Sequence, residues 1–133
     1  MILDTCFCID LMREEKKREH GAAHQKLRIL DSAPIALPVF VLCELMAGAK
    51  LAANPTRELR RVELFKEYLD VVYPDAAFPL LYANAEAFLR KKGTPVPTMD
   101  LLIAVAALSQ SSPLLTRNIK DFENIPNLIV ETY

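Results

Sequence analysis

The sequence predicts an α/β fold: a central parallel sheet of about five short strands, covered by helices on both faces to give three layers. Three observations carry this. Short apolar runs recur at residues 1–3, 35–37, 71–73, 114–116 and 128–131. Between them lie longer stretches with helical periodicity and recognisable start and stop residues. With 133 residues, 52% of them hydrophobic and 25% charged, the chain fits one globular domain over 1–133 with a substantial core.

Residues 1–3 read as a short buried strand. A helix over about 5–15 follows, with Phe7, Ile9, Leu11 and Met12 on its apolar side. The charged stretch 13–20 reads as a solvated helix end and loop, and 22–30 as a second amphipathic helix. Pro34 and Pro38 bound the strand at 35–37. Pro38 then suits the first turn of a helix running to about Leu51, where its missing N–H is no loss. Asn54-Pro55-Thr56 breaks the chain, and Thr56 is the expected cap of a helix over 57–69.

After the strand at 71–73, residues 75–92 read as mostly helical, with Pro79 near the start and Gly93 as the stop. A Pro-rich turn at 94–97 leads to Thr98, the expected cap of a strongly apolar helix to about Ser109. A strand at 114–116, a loop at 117–126 with one helical turn, and a last strand at 128–131 complete the chain.

The totals narrow the function classes. A formal net charge of −1 gives no bulk positive field, so nucleic-acid contact would need a local basic patch. Three cysteines, Cys6, Cys8 and Cys43, are an odd number in a chain with ample core, which points to a reducing cytoplasm rather than a disulfide scaffold. The N-terminus lacks a basic stretch followed by an apolar core, so no signal peptide is expected. No apolar run approaches about 18 residues, so no membrane partner is expected.

Three carboxylates stand out. Asp4 ends the first strand, Glu44 interrupts the apolar run Val39 to Leu45, and Asp100 opens the run Leu101 to Leu108. In open parallel sheets ligands bind beyond the carboxyl ends of the strands. Asp4 and Asn118 follow strands and so belong at that edge; Asp100, at the start of a returning helix, belongs there too.

Singly, Asp4 reads as a helix cap and Asp100 as an acid favoured by the helix dipole. Together they pose an electrostatic problem. Two carboxylates about 4 Å apart repel by about 4 kcal/mol at an effective dielectric of about 20. Three converging acids either hold protons or bind a cation, and oxygen ligands suit Mg²⁺ or Mn²⁺.

Zinc is the weaker reading of the remaining groups. Cys6 and Cys8 are two apart on different faces of a helix, no C-x-x-C pair exists, and His20 and His24, though spaced i, i+4, read as solvated. The basic clusters around Arg13, Arg57 and Lys91 read first as solvated helix faces. With three glycines and no phosphate-binding loop, a nucleotide triphosphatase is unsupported.

With those positions placed, nearly the whole chain resembles the PIN-domain ribonucleases, most closely the VapC toxins of VapBC toxin–antitoxin pairs. The likeness rests on Leu3-Asp4-Thr5, Cys43-Glu44-Leu45 followed by Gly48, Asp100-Leu101-Leu102-Ile103-Ala104, and the distinctive Leu115-Thr116-Arg117-Asn118-Ile119-Lys120-Asp121-Phe122.

The resemblance implies a PIN-like sandwich, a Mg²⁺- or Mn²⁺-dependent endoribonuclease, an RNA substrate, a VapB-like antitoxin and a homodimer. By position Asp4, Glu44 and Asp100 match the family's three acids, as metal ligands and catalytic groups. The fourth acidic position falls on Asn118, with Asp121 close behind. Thr116 and Asn118 are then expected to position water or phosphate, and Arg117 to contact the scissile strand or pair with an acid. The alternative is a catalytically weak PIN-like module that binds nucleic acid or protein. A small-molecule phosphatase would need Asp-x-Asp, whereas Asp4 is followed by Thr5-Cys6.

Overall fold

The computed structural model describes residues 1–31 and 33–133. Its five strands are β1 (Ile2–Leu3), β2 (Ala36–Pro38), β3 (Asp70–Val72), β4 (Leu114–Leu115) and β5 (Val130–Glu131). They form one sheet in the order β3-β2-β1-β4-β5, with every neighbouring pair parallel. The helices are α1 (Thr5–Lys17), α2 (Ala22–Leu30), α3 (Val39–Lys50), α4 (Pro55–Lys66), α5 (Phe78–Lys92), α6 (Thr98–Ser109) and the single turn α7 (Ile119–Phe122).

The strands are short: the central ones are buried, and β1 and β2 deliver the chain almost straight into α1 and α3. Ile2, Leu3, Leu37, Leu114 and Leu115 are at most 1% exposed, so the sheet is the centre of the core. Ile103, Ala104, Val105 and Ala107 of α6 are likewise fully covered. That explains why α6 is apolar nearly all round: it is a core helix, not a surface one.

Sequence order and spatial order diverge at one place. From β1 the chain steps outward to β2 and β3, then returns to lay β4 on the opposite side of β1. Between β1 and β4 the connections leave in opposite directions, which opens a crevice beyond the strand ends.

Several helix starts differ from the sequence expectation, each for a local reason. Asn54, not Thr56, caps α4: its side chain accepts from Arg57 N at 3.1 Å, which lets Pro55 take the first helical position. Pro38 stands just before α3, paired in β2 with Val72, so α3 begins at Val39. Thr98 is the first residue of α6 and makes no capping bond, because the residue ahead of it, Pro97, occupies the cap position. Asp75 lies outside α5 and accepts from Ala77 N and Phe78 N at 2.9 and 3.0 Å, a turn that delays the helix to Phe78. Gly93 ends α5 at φ 75°, a conformation that favours glycine.

Between α1 and α2 the cap comes from a distance. Glu14 accepts from Ala23 N at 3.2 Å, from His24 N at 2.9 Å and lies 3.0 Å from His24 Nδ1. A Cβ on Gly21 would stand 2.2 Å from Glu14 Oε1, so the carboxylate occupies the space that only a glycine leaves. Among the described residues no helix is long and apolar enough to cross a membrane.

Candidate active site

Asp4 sits where β1 becomes α1. Its backbone is extended (φ −83°, ψ 159°), as expected of a residue that precedes a helix and caps it. Oδ1 accepts from Thr5 N at 2.7 Å. Oδ2 accepts from the Thr116 hydroxyl at 2.6 Å and from the Cys6 thiol at 3.1 Å.

Asp4 is 4% exposed and Thr116, from the end of β4, is fully buried. The carboxylate is therefore locked across the crevice between β1 and β4. Burial, then the charge of Asp4, pushes the Cys6 thiol up despite its contact with Thr116, so Cys6 stays protonated and donates.

Glu44 lies one and a half turns into α3, and its Oε2 accepts from the Thr5 hydroxyl. Asp100 occupies the first turn of α6, half-buried. Among the described residues the Asp100 carboxylate, unlike those of Asp4 and Glu44, has no hydrogen-bond partner. Burial first, then the charges of Asp4, Asp121 and Glu44, pushes its carboxyl above the usual carboxylate range.

These residues line one open cleft of about 330 Å³, together with Thr5, Cys6, Ile9, Arg13, Arg117 and Asn118. Among the described residues, no three acid, histidine or cysteine side chains are drawn together tightly enough to cage an ion as they stand. The donor set nevertheless has the chemistry a hard cation takes: three carboxylates, one of them with proton affinity raised by burial and then by the charge of its acidic neighbours.

The structure separates the expected site residues into groups. Asp4, Glu44, Asp100, Arg117 and Asn118 share the cleft lining. Thr116 stands beneath it, its hydroxyl donating to Asp4 and accepting from Asn118 N at 3.0 Å. Asp121 is exposed on α7 outside the lining, close enough to act on Asp100 through its charge. Arg117 pairs with Asp10 at 2.5 Å.

Sequence reading passed over Thr5, Cys6 and Ile9 as lining residues, and read Arg13 as a solvated cation. A signal was present. Thr5, Ile9 and Arg13 are spaced i, i+4, i+8 on α1, one stripe leading away from Asp4.

A larger groove of about 490 Å³ adjoins the cleft between α1, α3 and α4, and the two share Ile9, Arg13 and Glu44. Its floor is apolar, with Met12, Leu45 and Val62 among its lining.

Residues 1–128 match the PIN domain family. The chain belongs to it. This PIN domain is 33% identical over 127 residues to Ribonuclease VapC1 of Haemophilus influenzae, covering 96% of this chain and 92% of that protein. It is 32% identical over 132 residues to the tRNA(fMet)-specific endonuclease VapC of Salmonella typhimurium, covering 99% and 96%. The crystal structure of VapBC2 from Rickettsia felis, bound to a DNA fragment from its promoter, contains a chain of the same fold. That match has a TM-score of 0.89 at 28% identity and covers 99% of this chain and 97% of that one. The parallel sheet and its flanking helices are therefore those of VapC PIN domains, as the sequence motifs implied.

Proposed function

We propose that this chain is an endoribonuclease, the toxin of a type II toxin–antitoxin pair, acting in the cytoplasm with Mg²⁺ or Mn²⁺. The observation that carries the reading is the placement of Asp4, Glu44 and Asp100 around one cleft at the sheet's switch point, in a PIN domain similar to VapC ribonucleases.

Asp4, Asp100 and Glu44 are the residues that would hold the divalent ion. Bound there, it would offset their mutual repulsion, stabilise charge on a phosphodiester and ease deprotonation of the attacking water. The rest of the work falls to the chain itself. Thr116 and Cys6 fix the rotation of the Asp4 carboxylate. Thr5 holds one oxygen of Glu44, which leaves Oε1 to orient a water for in-line attack. Arg13 and Arg117 supply positive charge at the cleft for the RNA backbone, which the acids alone would repel.

The test is to incubate the purified chain with single-stranded and structured RNAs in Mn²⁺, Mg²⁺ or EDTA. Metal-dependent cleavage leaving 5′-phosphate and 3′-hydroxyl ends is expected. RNA binding without cleavage, or cleavage that survives EDTA, refutes the reading.

A VapB-like antitoxin is the second partner. A segment seated in the groove between α1, α3 and α4 shares Arg13 and Glu44 with the cleft and so obstructs it. A basic side chain reaching the acids makes inhibitor and metal compete. Antitoxin affinity is expected to fall as Mn²⁺ rises, beyond an ionic-strength control. The chain is also expected to pair with itself through exposed Leu80, Leu81 and Phe88 of α5; a monomer by light scattering at micromolar concentration counts against this.

A further inference from the structure

Asp10 lies outside the cleft, on α1, yet it accepts from two donors in distant parts of the fold and pairs with a third cation one turn along its own helix. Its Oδ2 accepts from Arg117 Nη1 at 2.5 Å and from the Tyr133 hydroxyl at 3.0 Å. Its Oδ1 is 3.8 Å from Arg13 Nη1. Tyr133 is itself fixed by an edge-to-face contact with the fully buried Phe7, ring centroids 4.8 Å apart. The Asp10 side chain is 17% exposed, while the guanidinium-bearing chains of Arg117 and Arg13 are 53% and 70% exposed. A half-sheltered acid thus anchors cations whose far sides remain open to solvent at the cleft.

The alternative partners for Arg117 are the acids it overlooks. Asp4, Glu44 and Asp100 line the same cleft. An arginine released from Asp10 has three carboxylates to fall onto, and a guanidinium seated among them would be lost to substrate. A carboxylate on the outer side holds it at the rim instead. Arginine keeps several N–H donors, so one can serve Asp10 while others remain for a phosphate.

We infer that Asp10 is a positioning residue that holds Arg117 at the mouth of the cleft as a clamp on the RNA backbone. The inference rests on the reading of the cleft as a ribonuclease site. It makes a prediction opposite in sign to simple charge accounting. Removing a negative charge beside an RNA path ordinarily strengthens binding; removing Asp10 is expected to weaken it, because the clamp is lost.

The experiment compares wild type, Asp10→Ala, Asp10→Asn, Arg117→Met and the Asp10→Ala/Arg117→Met double variant. Each is assayed for steady-state RNA cleavage in Mn²⁺, with thermal melts to confirm folding. Each is also built into an Asp100→Asn background for binding of a short fluorescein-labelled single-stranded RNA. Asp10→Ala is expected to raise KM about tenfold while kcat stays within about twofold, the pattern of lost uniform binding. Its binding constant should become less salt-dependent, by about 0.7 in log–log slope for each lost phosphate contact. Asp10→Asn, which keeps one acceptor and the shape, is expected to fall between, and serves as the measure if Asp10→Ala unfolds.

In the Arg117→Met background, Asp10→Ala should cost nothing further. Tighter or unchanged RNA binding on removing Asp10, or an equal loss with and without Arg117, overturns the inference while leaving the ribonuclease reading in place. A wild-type chain that cleaves no RNA removes the reading itself and the clamp with it.

Discussion

Replacing Thr116 by valine isolates one hydrogen bond at the centre of the crevice. Thr116 is fully buried, and its hydroxyl donates to Asp4 Oδ2 at 2.6 Å. Valine keeps the branched shape, so little cavity forms; what changes is that a buried carboxylate loses a donor. Hydrogen bonds to charged groups contribute about 1.5–3 kcal/mol, and leaving Asn118 N without its acceptor adds to the loss. A destabilisation of about 2 kcal/mol is expected. At roughly 2.1 cal/mol/K of unfolding entropy per residue, that lowers Tm by about 7 °C for a chain of 133 residues.

Thr116→Ser provides the control. It keeps the hydroxyl and loses a methyl group, a cost of about 1 kcal/mol. RNA cleavage should follow the hydroxyl rather than the stability. With Asp4 free to turn, Thr116→Val should lose about 100-fold in rate, whereas Thr116→Ser should stay near wild type. Melts by circular dichroism and cleavage assays on the same preparations decide it. A Thr116→Val protein melting within about 1 °C of wild type, or a serine variant as inactive as the valine one, refutes the account of Asp4.

Asp100→Asn should abolish cleavage yet hold or raise metal-free stability. Burial and the charges of Asp4, Asp121 and Glu44 raise the Asp100 carboxyl, so its contribution is present below the ordinary carboxyl range and lost as pH rises through the raised value. The advantage of Asn should thus be larger near about pH 7 than near about pH 4, read by urea titration; the reverse order would contradict the crowding of acids. Asn118→Asp adds a fourth carboxylate to the cleft lining and should tighten Mn²⁺ binding in a calorimetric titration, with unchanged affinity placing Asn118 outside the ion's reach. Gly21→Ala should cost about 1–2 kcal/mol by displacing the Glu14 cap, and Glu14→Gln should cost less. Burial opposes ionisation of Glu14, but bonds from His24 and Ala23 outweigh it and lower its carboxyl. Its stabilisation is therefore present above about pH 4.5 and lost as pH falls through the lowered value, so Glu14→Gln should flatten that acid limb.

That Asp4, Glu44 and Asp100 belong together was readable from the sequence, because acids beside apolar runs are costly without a purpose. The α/β alternation was readable for the same reason: Leu3, Leu37 and Leu115 belong to short runs that only a buried parallel sheet accommodates. What escaped was anything fixed by distant partners. Nothing near Asp10 in the chain announces Arg117 or Tyr133, which lie 107 and 123 residues away. Thr116 read as a group for water or phosphate because its tie to Asp4 crosses the sheet. Helix caps were misplaced by one or two residues where Asn and Thr, or Pro and Thr, competed for one turn.

The order of strands in the sheet also sets a clock on synthesis. Asp4 is made well before the hydroxyl that fixes its carboxylate, which follows 112 residues later. At about 5–20 residues per second, Asp4 waits roughly 6 to 20 s for the strand that completes its surroundings. Through that interval β1 can meet β2 and β3 while the other wall of the crevice has not yet been made. A chain read as an RNA-cutting toxin is thus born without its weapon, and stays harmless to the message being translated until β4 slots in beside β1.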